Sequence, residues 1–186
     1  MKKFILLLVC FISIPLMAQD DAMKAWMAYM TPGEMHTWLA KNEGEWKYVQ
    51  ESWMTPGAEA TVDSGISKNS MILGGRYLQM IHEGSAFGTP FTGINLLGYD
   101  NTLKKFFSFW IDNLGTGYTV ATGDYDKASN TIILFGNMLD PASGKDWKYK
   151  MVIMEPKNGE VGNEMYGFDP QGKEYLMMRS VYFKAN

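Results

Sequence analysis

The sequence contains a single cysteine, Cys10, inside the first apolar stretch. Once that stretch is removed as a leader, disulfides, thiolate nucleophiles and cysteine-ligated metals are excluded from the remainder. Histidine is almost as scarce. His36 and His82 stand in separate contexts, with no metal-ligand spacing, so no metal centre is expected. Long hydrophobic runs are missing as well: Phe4 to Ile14 is the main apolar run, and it falls short of the roughly twenty residues a spanning helix needs. No basic run exceeds Lys104-Lys105, which gives no electrostatic reason to bind nucleic acid or an anionic membrane surface. Gly-x-Ser-x-Gly and His-Glu-x-x-His are also absent. Most hydrolase and metalloenzyme classes therefore have no foothold, and no catalytic residue and no cofactor is expected.

What is present begins with a leader. Lys2 and Lys3 precede the apolar run, Pro15 breaks it, and Leu16-Met17-Ala18 offers a cleavage site after Ala18. Residues 1–18 therefore read as a signal peptide and the chain as exported, either periplasmic or secreted. Cys10 is an unsuitable lipid acceptor because apolar residues continue past it, so no lasting membrane anchor is expected. Cleavage leaves 168 of 186 residues and takes the formal charge from −3 to −5 as Lys2 and Lys3 are lost. With 46% apolar and 14% aromatic residues over the whole chain, the remainder can build one domain with a real core.

Residues 19–43 read as helical. Met23, Trp26, Met27 and Met30 recur at helical spacing. Thr31 is a candidate cap for a second helix, with Pro32 at its first position and Glu34 completing a capping box. Met35, Trp38 and Leu39 would be its buried face, and His36 would face solvent. From Gly44 the period changes to two, and residues 44–186 read as strands. After Trp46–Trp53 come runs at 58–66, 75–83, 91–99, 104–111, 117–125, 131–139, 145–154, 160–168 and 174–183. Turn residues separate them, such as Thr55-Pro56-Gly57, Asn158-Gly159 and Asp169-Pro170. An aromatic–Asp corner recurs at Tyr99-Asp100, Tyr125-Asp126 and Phe168-Asp169, each before a returning apolar strand. The connections are too short for crossover helices, so neighbours run antiparallel. The fold class is all-β with short N-terminal helices. An open sheet of about ten strands leaves two exposed edges, and closure into an up-and-down barrel removes them.

Alternation places Trp46, Tyr48, Gln50, Trp110, Tyr118, Trp147 and Tyr149 at inward or mouth positions. They are candidate contacts for a small apolar or amphipathic ligand. Arg76, in Leu73-Gly74-Gly75-Arg76, could hold an anion or could simply brace a tight turn. His82 shares a strand face with Leu78 and Met80 and could serve as a base or ligand if that face is interior, or be an ordinary strand histidine. Asp112, Asp124 and Glu51 sit on or beside strands, where turn formation is the ordinary role. Met1 and Met17 fall in the leader, leaving thirteen of fifteen methionines. Helical spacing and apolar strands favour core filling over a copper(I) surface.

Gly44-Glu45-Trp46, opening the first strand after a short helix, resembles the Gly-x-Trp of lipocalin-like (calycin) barrels. That resemblance implies a basic residue from the last strand lying over the Trp46 ring, and Arg179 is the implied partner. Haem-binding barrels of related type carry their ligand histidine late in the chain, and none follows His82 here. Gly44-Glu45-Trp46, Thr55-Pro56-Gly57, Leu73-Gly74-Gly75-Arg76-Tyr77-Leu78 and Phe91-Thr92-Gly93 occur in that order. Gly98-Tyr99-Asp100-Asn101, Trp110-Ile111-Asp112 and Gly123-Asp124-Tyr125 follow them. Together they resemble the bacterial family catalogued as domain of unknown function 1579. The resemblance implies kinship and brings no activity with it. The leading expectation is noncatalytic binding of a small ligand in a barrel. An enzyme for a small hydrophobic substrate, using His82 and Arg76, and an interaction domain with apolar outer strands are the alternatives. The oligomeric state is left open.

Overall fold

The computed structural model describes residues 16–141 and 143–185 and is built of two helices and ten strands. The expected leader at 1–18 lies largely outside these residues, as does Cys10. Helix α1 (Leu16–Met30) and the barrel fall in separate compact units divided between Thr31 and Pro32. On α1, Met23, Trp26 and Met27 are exposed, with Trp26 edge-on to Tyr29 at 5.8 Å. Their spacing is helical as expected. Methionine does fill the core elsewhere: Met35, Met71, Met80, Met138 and Met165 pack against it.

The second unit opens with α2 (Glu34–Ala40). Its N-cap is Gly33, not Thr31: the Gly33 N–H donates to His36 Nδ1 at 3.0 Å, while the Thr31 hydroxyl turns back to the Met27 carbonyl. His36 is therefore buried rather than solvent-facing, edge-on to Tyr99. Its position, three residues into the helix, lets one ring close the cap and pack inward. Burial lowers its pKa, partly offset by a hydrogen bond to the Tyr99 backbone.

Ten strands follow: β1 (Gly44–Ser52), β2 (Thr61–Ile72), β3 (Tyr77–Ala86), β4 (Thr89–Asp100) and β5 (Lys105–Asp112), then β6 (Thr119–Asp126), β7 (Thr131–Leu139), β8 (Asp146–Met154), β9 (Glu160–Phe168) and β10 (Glu174–Lys184). Each pairs antiparallel with its neighbours in sequence, and β1 pairs with β10 from Trp46↔Lys184 to Ser52↔Met178, closing the barrel. The aromatic–Asp corners recur as one solution. Asp100, Asp126 and Asp169 each accept backbone N–H groups from the turn that follows.

Helix α2 leads straight into β1, so it sits at the end of the barrel where β1 begins. Trp38 and Leu39 plug that end against Leu78, Leu97, Phe106, Ile132 and Leu134. Trp38 meets Phe106 and Tyr125 edge-on at 6.3 Å each. The opposite end carries the longer β1–β2, β5–β6 and β7–β8 connections.

Several inward positions are glycine because a neighbouring ring occupies the space a side chain would need. The Tyr48 ring lies over Gly65 and Gly84, Trp110 over Gly93, and Tyr149 over Gly136. A Cβ on Gly65 would stand 2.3 Å from the Glu83 carbonyl oxygen and 2.6 Å from the Tyr48 hydroxyl. Gly65→Ala is therefore expected to cost about 1–3 kcal/mol in a urea titration, because backbone on one side cannot yield. A neutral result would mean that the Tyr48 ring is not seated there.

Candidate functional site

Above the plug, the barrel interior changes from aliphatic to polar and aromatic. Strand alternation brings Tyr48, Gln50, His82, Asn95, Ser108, Trp110, Tyr149, Asn163, Ser180 and Tyr182 to the inner face. His82 is the hub. Its ring lies 5.4 Å from Trp110, 5.8 Å from Tyr48 and 6.1 Å from Tyr182. Phe91 stacks on the far side of Trp110 at 6.0 Å. The Trp110 indole N–H donates to Asp112 Oδ2 at 2.7 Å, and Asp112 Oδ1 accepts the Leu114 N–H. Asp112 thus fixes the angle of a cavity wall.

The electrostatics of this interior favour neutral forms. Burial holds His82 neutral, with its pKa lowered to about 4. Burial likewise pushes the Tyr182 phenol well above its ordinary value; nearby Tyr48 adds to this and a Ser180 hydrogen bond opposes it. Tyr149 is raised by burial too, against a hydrogen bond with Thr119. Asp63, also buried, accepts from the Ser85 hydroxyl at 3.0 Å and the Phe87 N–H at 3.4 Å, which ties it to the β3–β4 hairpin.

Three polar groups are left over. The Asn95 and Asn163 side-chain oxygens are buried with no hydrogen-bond partner among the described residues. His82 makes no hydrogen bond or ion pair among them either. A fourth, the Trp38 indole N–H, belongs to the plug. Buried polar atoms are normally paired, and each unpaired one costs about 1–3 kcal/mol.

Met80, Asn163, Met165 and Tyr182 point inward from within their strands and still keep accessible surface. In a closed barrel that surface faces the lumen or its mouth. Barrel diameter grows with strand number, so ten strands enclose a wider interior than eight.

The sequence-derived candidates divide cleanly. Tyr48, Gln50, His82, Trp110, Trp147 and Tyr149 lie on the inner face. Gln50 accepts from the Ser180 hydroxyl and donates to Ser52. Trp147 is paired across the strands with Met138 toward the open end. Tyr118 does not belong: it is 69% exposed and stacks on Phe109, which points outward. Arg76 is not in the lumen. Its guanidinium braces the β2–β3 turn on the Leu73 and Gly74 carbonyls, so His82 and Arg76 do not converge. Trp46 is inward but buried in the closed end, its indole N–H on the Asn42 carbonyl at 2.9 Å.

The implied Trp46–Arg179 pair is not formed. The cation over the Trp46 ring is Lys184, 5.1 Å from the centroid. Arg179 points outward and pairs with Glu164 at 3.1 Å. Its side chain is half exposed, so Arg179→Ala is expected to cost below about 1 kcal/mol in thermal melts. A loss of several kcal/mol would return Arg179 to the core. On that outer wall Val49, Val62, Val181 and Phe183 line a shallow groove of about 340 Å³, distinct from the lumen. Among the described residues no three His, Cys, Asp or Glu side chains gather as a metal site. No described helix is long and apolar enough to cross a membrane.

Sequence reasoning missed Asn95, Asn163 and Tyr182. The signal for Asn95 was available: a lone amide in Gly93-Ile94-Asn95-Leu96-Leu97, in step with Gly93 and Leu97. Tyr182 was hidden by a bulge in β10.

In structure, the chain is similar to one solved as "Crystal Structure of Rv2717c from M. tuberculosis", with a TM-score of 0.61 and 12% identity. The likeness covers 84% of this chain and 100% of that one, and it speaks to the fold alone. No functionally curated protein matches the sequence. The family model described as "Protein of unknown function (DUF1579)" matches residues 31–184, and the chain belongs to that family.

Proposed function

We propose that this is an exported, noncatalytic protein that binds one small apolar or amphipathic molecule in the barrel lumen. The observation that carries the reading is His82: a neutral, unpartnered imidazole at the centre of an aromatic wall, in a closed ten-stranded barrel. Aromatic walls supply contact area, and a few unpaired polar groups fix orientation, which is the usual make-up of a ligand site. The plug closes one end, so entry is from the β5–β6 side. Catalysis has less support, because Arg76 and His82 lie apart and the lumen carboxylates are already engaged. Export rests on Lys2, Lys3, the apolar run and Ala18, and N-terminal sequencing of the protein recovered outside the cytoplasm should begin at Gln19.

Native mass spectrometry with N-phenyl-1-naphthylamine, a neutral amphipathic probe, tests the binding. One molecule per chain is expected, with saturable quenching of tryptophan emission. Trp110→Phe should keep the mass shift and lose most of the quenching. Absence of saturable 1:1 binding would sink the reading.

A further inference from the structure

We infer that the lumen selects a neutral, planar ring that donates a hydrogen bond, in the chemical class of phenols and indoles. This rests on the binding role proposed above and narrows the ligand.

Shape comes first. Tyr48, His82, Trp110 and Tyr182 form one contiguous aromatic surface, with neighbouring centroids 5.4 to 6.1 Å apart. Glycines at 65, 84 and 93 let the Tyr48 and Trp110 rings lie flat against the wall instead of crossing the lumen. The four rings are tilted 45° to 70° to one another, so they present both faces and edges, and a planar ring can meet them in stacked and edge-to-face contact.

Polarity comes second. The two lumen amide atoms left without a partner are acceptors, Asn95 Oδ1 and Asn163 Oδ1, while neutral His82 offers one acceptor and one donor nitrogen beside them. Asn95 is only 7% exposed, and its amide nitrogen is already committed to Ser108 Oγ at 2.7 Å. The register places Asn95 two residues from Gly93, which pairs with His82, so both share one stretch of inner wall. Asn163 stands two residues from Val161, which pairs with Tyr182. The orphan acceptors therefore flank the aromatic surface on both sides. A ligand O–H or N–H aimed at either one satisfies a group that is otherwise unpaired.

Charge comes third. The two inward carboxylates, Asp63 and Asp112, are held by their own hairpins. Lys184 is engaged over Trp46 and the Glu43 carbonyl at the closed end. No counter-ion faces the His82 surface among the described residues, and an unpaired charge in such a place is strongly disfavoured.

Fluorine NMR titration of the full chain with 4-fluorophenol, 4-fluoroanisole and 4-fluorobenzoate separates these elements. The phenol should bind at least about tenfold more tightly than the anisole, whose donor is capped. The benzoate should bind more weakly than both. Asn95→Leu together with Asn163→Leu should erase the phenol-over-anisole preference while leaving anisole binding in place, and the wild-type comparison stands whether or not that variant folds. Equal binding of phenol and anisole, tighter binding of the benzoate, or no binding of any while N-phenyl-1-naphthylamine still binds would each overturn the selectivity and leave the binding role intact. Loss of the naphthylamine as well would overturn both.

Discussion

Trp46→Ala is expected to lower the stability of the barrel by about 3–5 kcal/mol, the range for removing a fully buried tryptophan. The ring is 1% exposed and stands where β1 meets both β2 and β10, opposite Ser67 and Lys184. It therefore ties the two edges that closure brings together. Three contributions can be separated. Trp46→Phe keeps most of the packing and loses the indole N–H. Its cost should be near 1 kcal/mol, because Asn69 Nδ2 still donates to the Asn42 carbonyl. Lys184→Met keeps the aliphatic stem over the ring and removes the cation, at a cost of about 0.5–1 kcal/mol. Packing then accounts for the remainder. Chemical denaturation of the three variants checks this order. If Trp46→Ala cost less than about 1 kcal/mol, the seam would not depend on that ring.

The same seam shows how far sequence could be read. Antiparallel pairing and ten strands were visible because alternation and turn residues mark each element independently of tertiary context. The length of β2 was not. Ser67, Lys68, Asn69 and Ser70 look like the end of a strand, so the run seemed to stop near Ile66, yet the ladder continues to Ile72. Two of those polar residues point inward at the closed end: Asn69 caps the Asn42 carbonyl, and Ser67 donates to Asn69. Polar groups with buried partners mimic exposure in a sequence.

Arg179 was misplaced for a different reason. Tyr175 pairs with Gly167 on the inner face, and strict alternation from there would send Arg179 inward as well. The ladder shifts register between Leu176 and Met178, so the parity inverts. Ser180, Tyr182 and Lys184 take the inner face, and Arg179 turns to Glu164 outside. A one-residue insertion into a ladder leaves no trace in composition. It moved the real cation onto Trp46 and brought Tyr182 into the site unseen.

Acidification is expected to remove up to about 3 kcal/mol of stability through His82 alone. The ordinary histidine value is 6.5, which the unfolded chain keeps, while the folded value is about 4 because burial penalises the charged ring. Between those values the unfolded state holds a proton that the folded state refuses. Stability is therefore fully present above about pH 6.5, declines below it, and reaches its full loss near pH 4. His36, also lowered by burial, acts in the same direction to a lesser degree. Carboxylates add their own slope at the acid end, so the informative quantity is the difference between wild type and His82→Gln. Urea titrations at pH 7.5, 6, 5 and 4 should show the wild type losing about 3 kcal/mol more than the variant across that range. Parallel curves would mean that His82 reaches solvent or a hidden partner. The variant should also be at least as stable as wild type at pH 4, since the group that resists protonation is gone. A fold selected only for stability would not keep an unpaired imidazole beside two orphan amide oxygens when a leucine would pack there without cost. Departures of that kind from local consistency concentrate where a site is needed. His82 is costly in acid and unpaired at neutral pH, and both properties follow if its missing partner is the ligand.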